Sequence, residues 1–72
     1  MLIQWQRFDS DGQTNLGGLY IERNQIAAVY CDRREDGRHL CRVAMASGVV
    51  YTTVQSVSEV LDDIARHDGK ER

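Results

Sequence analysis

The stretch CDRREDGRHLC, from Cys31 to Cys41, holds the residues best suited to chemistry: Cys31, His39 and Cys41. Thiolate and imidazole are zinc ligands, and a thiol beside an imidazole can be a nucleophile with its base. Structural zinc takes four protein ligands, and catalytic zinc takes three plus water. The chain has two cysteines and two histidines in all, no C-x-x-C pair, and no carboxylate that the strand pattern places on the same face. These three residues are the metal candidates, and the expectation is that neither a metal nor any other cofactor is bound. A cross-strand Cys31–Cys41 disulfide is geometrically open. Without an export signal, however, two cysteines point to reduced thiols in a bacterial-type cytoplasm. The preferred reading is two core-facing thiols near one end of a sheet.

Arg33, Arg34, Arg38 and Arg42 crowd the same stretch and are the candidate nucleic-acid contacts. Asp32, Glu35 and Asp36 oppose them, so the local excess is one charge. Phosphate binding draws on unopposed cations, and the whole chain carries a formal net charge of -2. A small nucleic-acid-binding regulator is therefore the alternative reading rather than the first. No catalytic residue is expected. His39 and His67 are the only side chains that could act as a neutral base, and His67 falls at a helix end, where it complements the dipole. Gly17-Gly18 lacks the lysine and helix start of a phosphate loop.

The elements that position these residues follow from pattern. Seventy-two residues make one domain, expected over residues 1–68 with a frayed tail at 69–72. Leu2 to Phe8 alternates as a half-buried strand, and Asp9 to Asn15 is turn chemistry. Within Leu16 to Glu22, Gly17-Gly18 marks a bulge or a close backbone approach, and Leu19 to Glu22 reads as a short strand that pairs back on the first. Ile26 to Asp32 and His39 to Ala46 form a hairpin. Its three-residue loop is Glu35-Asp36-Gly37, with Gly37 left-handed. That loop sets Cys31 opposite Cys41, Val29 opposite Val43, and Ala27 opposite Met45. A tight Ser47-Gly48 turn leads to Val49–Val54, whose Val50, Thr52 and Val54 are expected opposite Met45, Val43 and Cys41. Ser56 and Glu59 form a capping box. Val57, Val60, Leu61 and Ile64 then make one apolar helical stripe, and Gly69 suits the C-terminal cap.

The fold class is α+β: a small antiparallel sheet of four or five strands, followed by one amphipathic C-terminal helix packed on one face. Tyr30 and Tyr51, with Ala28 and Ala44 and with Trp5 or Phe8, are expected on the other face as an interaction surface. A domain this small buries only about 60% of its unfolded surface, which favours a homo-oligomer (a dimer) or a protein partner. No membrane span is expected, since apolar runs are far shorter than the roughly 20 residues required. The segment MLIQWQRF also lacks the features of a signal peptide.

Residues 19–66 resemble the FlbD-like family of small bacterial proteins linked to flagella and swarming motility. The likeness rests on Ile21, on Ile26-Ala-Ala-Val29, and on Val43-Ala-Met45 ahead of Ser47-Gly48. It continues through Val49-Val-Tyr-Thr-Thr-Val54 and, most closely, Gln55-Ser-Val-Ser-Glu-Val60. The resemblance implies a small non-enzymatic accessory protein and supplies no catalytic residues. The expectation is thus a cytoplasmic, non-catalytic interaction module.

Overall fold

A computed structural model describes the backbone of residues 2–69 and the side chains of residues 2–66. Five strands precede one helix: β1 (Leu2–Phe8), β2 (Asn15–Glu22), β3 (Ile26–Arg33), β4 (His39–Met45), β5 (Val50–Thr53) and α1 (Val57–Gly69), with a 3-10 turn at Arg23–Gln25. All pairings are antiparallel, and the strands lie in the order β2-β1-β5-β4-β3. The α+β expectation holds. The expected tail, 69–72, lies outside the described residues except for Gly69, which is the last helical residue.

The strand order imposes a shape. β2 and β3 are the two edges of the sheet, yet only Arg23–Gln25 separates them in sequence. A flat sheet would put edge strands about 19 Å apart, four steps of about 4.8 Å. Three residues of 3-10 helix rise only about 6 Å. The sheet must therefore curl until its edges converge at this end. Gln25 O accepts a backbone hydrogen bond from Ala46 N at 2.7 Å, which carries the β3–β4 pairing one residue beyond the strands.

Curling creates a concave face, and the alternating side chains fill it. Ile3, Trp5, Ile21, Cys41 and Val43 are buried there, and Val60 of α1 is fully enclosed among them. Val57 and Ile64 pack beside Val60. The helix starts where its sequence dictates. Ser56 Oγ accepts from Glu59 N at 3.1 Å, and Ser56 N donates to Glu59 Oε1 at 3.0 Å, so the capping box forms. Leu61 departs from the expected stripe. It is 51% exposed, because the groove accepts only the narrow ridge Val57–Val60–Ile64.

The β3–β4 hairpin closes as its sequence requires. Arg34 N donates to Arg38 O and Gly37 N to Arg34 O, with Gly37 at φ 91°, which brackets Glu35-Asp36-Gly37. Cys31 pairs with Cys41 and Val29 with Val43 as expected, but Ile26 rather than Ala27 opposes Met45, because the register shifts between Ile26 and Ala28.

The next hairpin corrects the expectation. Met45 N donates to Val49 O and Gly48 N to Met45 O, so Ala46-Ser47-Gly48 is another three-residue loop. Val49 rather than Val50 opposes Met45. Every β5 side chain then lies on the face opposite to the one expected: Tyr51 pairs with Val43 and Thr53 with Cys41.

The β1–β2 loop, residues 9–14, folds over the convex face. Asp9 Oδ1 accepts from Gln13 N and Thr14 N, and Asp9 O accepts from Gly12 N. Gly12 has φ 72°, and a Cβ there would meet Leu40 Cδ2, the buried residue beneath it. Gly12→Ala combines a left-handed backbone, costing about 1–2 kcal/mol, with this clash. Gly37→Ala meets open space and incurs the backbone cost alone. Urea denaturation is expected to show Gly12→Ala as the more destabilising change by about 1 kcal/mol or more.

Candidate functional site

Three regions collect the candidate residues: the outer face of the sheet, the arginine hairpin, and the thiol pair.

The outer face, turned away from α1, carries Phe8, Ala28, Tyr30, Ala44, Val50 and Thr52 by strand alternation and register. Tyr30 and Val50 are each 47% exposed, and Leu16, at the irregular start of β2, is 50% exposed. With Phe8, Arg42 and Thr52 they line one open groove. Tyr30 therefore stands where the sequence reading puts it. Tyr51 also borders this groove, but from the other face of β5, and Trp5 lies away from it. Tyr51 is half-buried on the concave side, with the Arg7 guanidinium 5.7 Å from its ring centroid, a cation–π distance. Trp5 is 4% exposed within the core, and its indole Nε1 donates to Asp63 Oδ2 of α1 at 2.9 Å. Alternation alone assigns Trp5 to one face of β1, and strand order decides that this face is the covered one.

The arginines are engaged within the molecule. Arg42 gives Nε and Nη2 to Asp32 Oδ2, at 3.1 and 2.6 Å, Nη2 also to Ser10 O at 2.9 Å, and Nη1 to Thr52 Oγ1. One side chain thus ties together β3, β5 and the β1–β2 loop. Arg34 reaches Asp11 at 2.9 Å and Asp32 at 3.6 Å. Arg38 pairs with Asp36 at 2.8 Å across the hairpin loop. Of the four proposed nucleic-acid contacts only Arg33 is exposed. The other three face carboxylates rather than an unopposed basic surface. The hydrogen bonds from Arg42 hold the Asp32 carboxyl below the ordinary carboxylate range. The Arg38 backbone N–H does the same for Asp36. Sequence reading treats Arg42 as a surface charge. Its signal is the pairing of an arginine with the acidic, turn-forming segment DSDG, which only the strand order brings alongside.

Cys31 and Cys41 are both free thiols, the first exposed and the second 1% exposed. The exposure of Cys31 corrects the expectation that both thiols face the core. It shares the concave side with Cys41 but lies on the edge strand β3, which leaves its flank open. Cys31 Sγ is 3.5 Å from His39 Nδ1. Burial, and secondarily the neighbouring Cys31, push the Cys41 thiol up to about 11. No group of three or more histidine, cysteine or acidic side chains among the described residues has an arrangement that could hold a metal ion. Among those residues, too, no helix is long and apolar enough to cross a membrane.

No protein-family model, curated protein or solved structure matches the chain.

Two outcomes follow from the electrostatics. Arg42→Leu removes the donor of the Ser10 carbonyl and the nearer of the two guanidinium partners of Asp32. Stability should drop by about 2 kcal/mol, with faster hydrogen exchange at Gln13 and Thr14 than in a control at exposed Arg33. A depressed carboxyl such as Asp32 stabilises the fold above the ordinary carboxylate range and loses that contribution as pH falls through its lowered value. Asp32→Asn should accordingly flatten the acid limb of the stability profile.

Cys41 has the opposite sign. Its folded value lies above the ordinary thiol value of 9.0, so the unfolded state releases its proton first. The contribution is intact below about pH 9 and falls away up to about pH 11, by roughly 2–3 kcal/mol in all. Chemical denaturation across that range should show the loss in the parent chain and a smaller one in Cys41→Val.

Proposed function

We propose that this chain is a small, non-catalytic interaction module of the cytoplasm that pairs with a second copy of itself through the outer face of its sheet. The observation that carries the reading is the open groove of Phe8, Leu16, Tyr30 and Val50 on the side opposite α1. Apolar and aromatic side chains dominate interface cores, and these four lie together on the uncovered face. Arg42 and Thr52 also line it and are already hydrogen-bonded to each other, so these two groups keep a partner when the groove is covered. The modest core adds to the case. Among the described residues seven apolar side chains are buried, and a domain of this size gains from covering a second apolar face.

The FlbD-like resemblance of residues 19–66 gives the biological setting: an accessory protein of bacterial motility. It adds no chemistry of its own. The arginine hairpin serves this reading as scaffold, since its guanidinium groups fasten the β1–β2 loop beside the groove.

Molar mass in solution tests the proposal. Sedimentation equilibrium over a concentration series should give a dimer for the parent chain. Val50→Glu should give a monomer with unchanged far-UV circular dichroism, because the residue is exposed and its substitution disturbs no packing. Little response to salt is expected for an apolar contact. A parent chain that stays monomeric up to millimolar concentration would refute self-association.

A further inference from the structure

We propose that Cys31 and Cys41 form a reactive dithiol, in which Cys31 attacks a small-molecule disulfide and Cys41 resolves the adduct into a cross-strand disulfide. This inference stands apart from the outer-face reading, since it concerns the opposite side of the hairpin.

Register is the first support. Arg34 and Arg38 make the hydrogen bond that closes the loop, and hydrogen-bonded and non-hydrogen-bonded pairs alternate from there. Arg33–His39 is then a non-hydrogen-bonded pair, Asp32–Leu40 a hydrogen-bonded one, and Cys31–Cys41 again non-hydrogen-bonded. In such a pair the Cα atoms lie about 4.5 Å apart and the side chains are at their nearest. Disulfides span Cα separations of roughly 4.4–6.8 Å, so the bond forms without moving the strands far. Consistent with this proximity, the charge of Cys31 contributes to the upward displacement of the Cys41 thiol.

Asymmetry is the second support. Cys31 is exposed on an edge strand, whereas Cys41 is buried among Ile3, Trp5, Val43 and Val60. A disulfide in solution reaches only the first. His39 Nδ1, 3.5 Å from Cys31 Sγ, is placed to take its proton, and the thiolate is the nucleophile. Cys41, held protonated by burial, is a poor first attacker but adjoins the sulfur that it must reach in the second step.

The chemistry balances with one small disulfide, RSSR, as oxidant. The thiol proton of Cys31 passes to His39, the sulfur forms a bond to one sulfur of RSSR, and RS⁻ leaves and is protonated. Cys41 then loses its proton to solvent and attacks Sγ of Cys31. The mixed disulfide breaks and a second RS⁻ departs as RSH. Two protein thiols and RSSR become one protein disulfide and two RSH.

Oxidised glutathione is the probe, applied to the intact chain near neutral pH with acid quenching and intact-mass readout. The expected course is a transient adduct of one glutathione, then a monomer lighter than the starting chain by two hydrogens. Peptide mapping should place the adduct on Cys31 and the crosslink between Cys31 and Cys41. Cys41→Ser should halt at a persistent adduct, Cys31→Ser should resist reaction while folded, and His39→Gln should slow the adduct several-fold without changing the product. The parent time course decides the matter even if a variant fails to fold. A persistent adduct on the parent chain, first attack at Cys41, crosslinking between chains, or no reaction on the time scale of free cysteine would each overturn the proposal.

Discussion

Closure of the sheet by three residues is the constraint on which the rest of the molecule depends. Because Arg23–Gln25 joins the two edge strands, β2 and β3 cannot lie at the far sides of a flat sheet. The sheet curls, and the curl gives its two faces different fates. The concave side collects Ile3, Trp5, Ile21, Cys41 and Val43 into a trough narrow enough for one helix ridge to plug. The convex side is left uncovered by any element except the 9–14 loop. Burial on one side and availability on the other are thus two results of one short connection.

Local chemistry was legible in the residues wherever a few neighbours decide the conformation. Ser56 and Glu59 cap a helix because two side chains and two backbone groups suffice. Glu35-Asp36-Gly37 closes its hairpin because one left-handed position is needed and only glycine meets it cheaply. From that loop the Cys31–Cys41 register follows by counting. Ser47-Gly48 alone suggests a tighter turn than the three-residue loop Ala46-Ser47-Gly48, and that one-residue difference shifts β5 and puts Tyr51 on the opposite face. A period of two forgives no such error.

The remaining misplacements have a common origin in strand order. Nothing near Trp5 in sequence announces that Asp63, at the other end of the chain, will accept its indole hydrogen. Nor does anything near Arg42 announce Ser10 and Thr52. The Asp63 and Ser10 contacts require β1 to lie beside β5, a non-local pairing that periodicity does not encode, whereas Thr52 meets Arg42 through the β4–β5 hairpin register. Cys31 shows a milder form of the problem. Its face follows from the hairpin register, but its exposure depends on β3 being an edge, which is again a matter of order.

Within the β3–β4 hairpin the same order separates three kinds of work. At the tip, arginines and carboxylates neutralise one another across short distances, so this end acts as a clasp on the β1–β2 loop rather than as a basic surface. Along the strands, side chains alternate, and adjacent residues Tyr30 and Cys31 look out on opposite environments: an apolar groove on one side, and a thiol beside an imidazole on the other. A clasp that holds the loop therefore also fixes the groove wall, since Ser10 and Leu16 flank the residues that it tethers. Loss of the Arg42 contacts would act on the groove through the loop, while leaving the Cys31–His39 contact on the far side in place. The two faces share a backbone but not a network, so a ligand or modification on either side acts on the other only by shifting the hairpin as a unit.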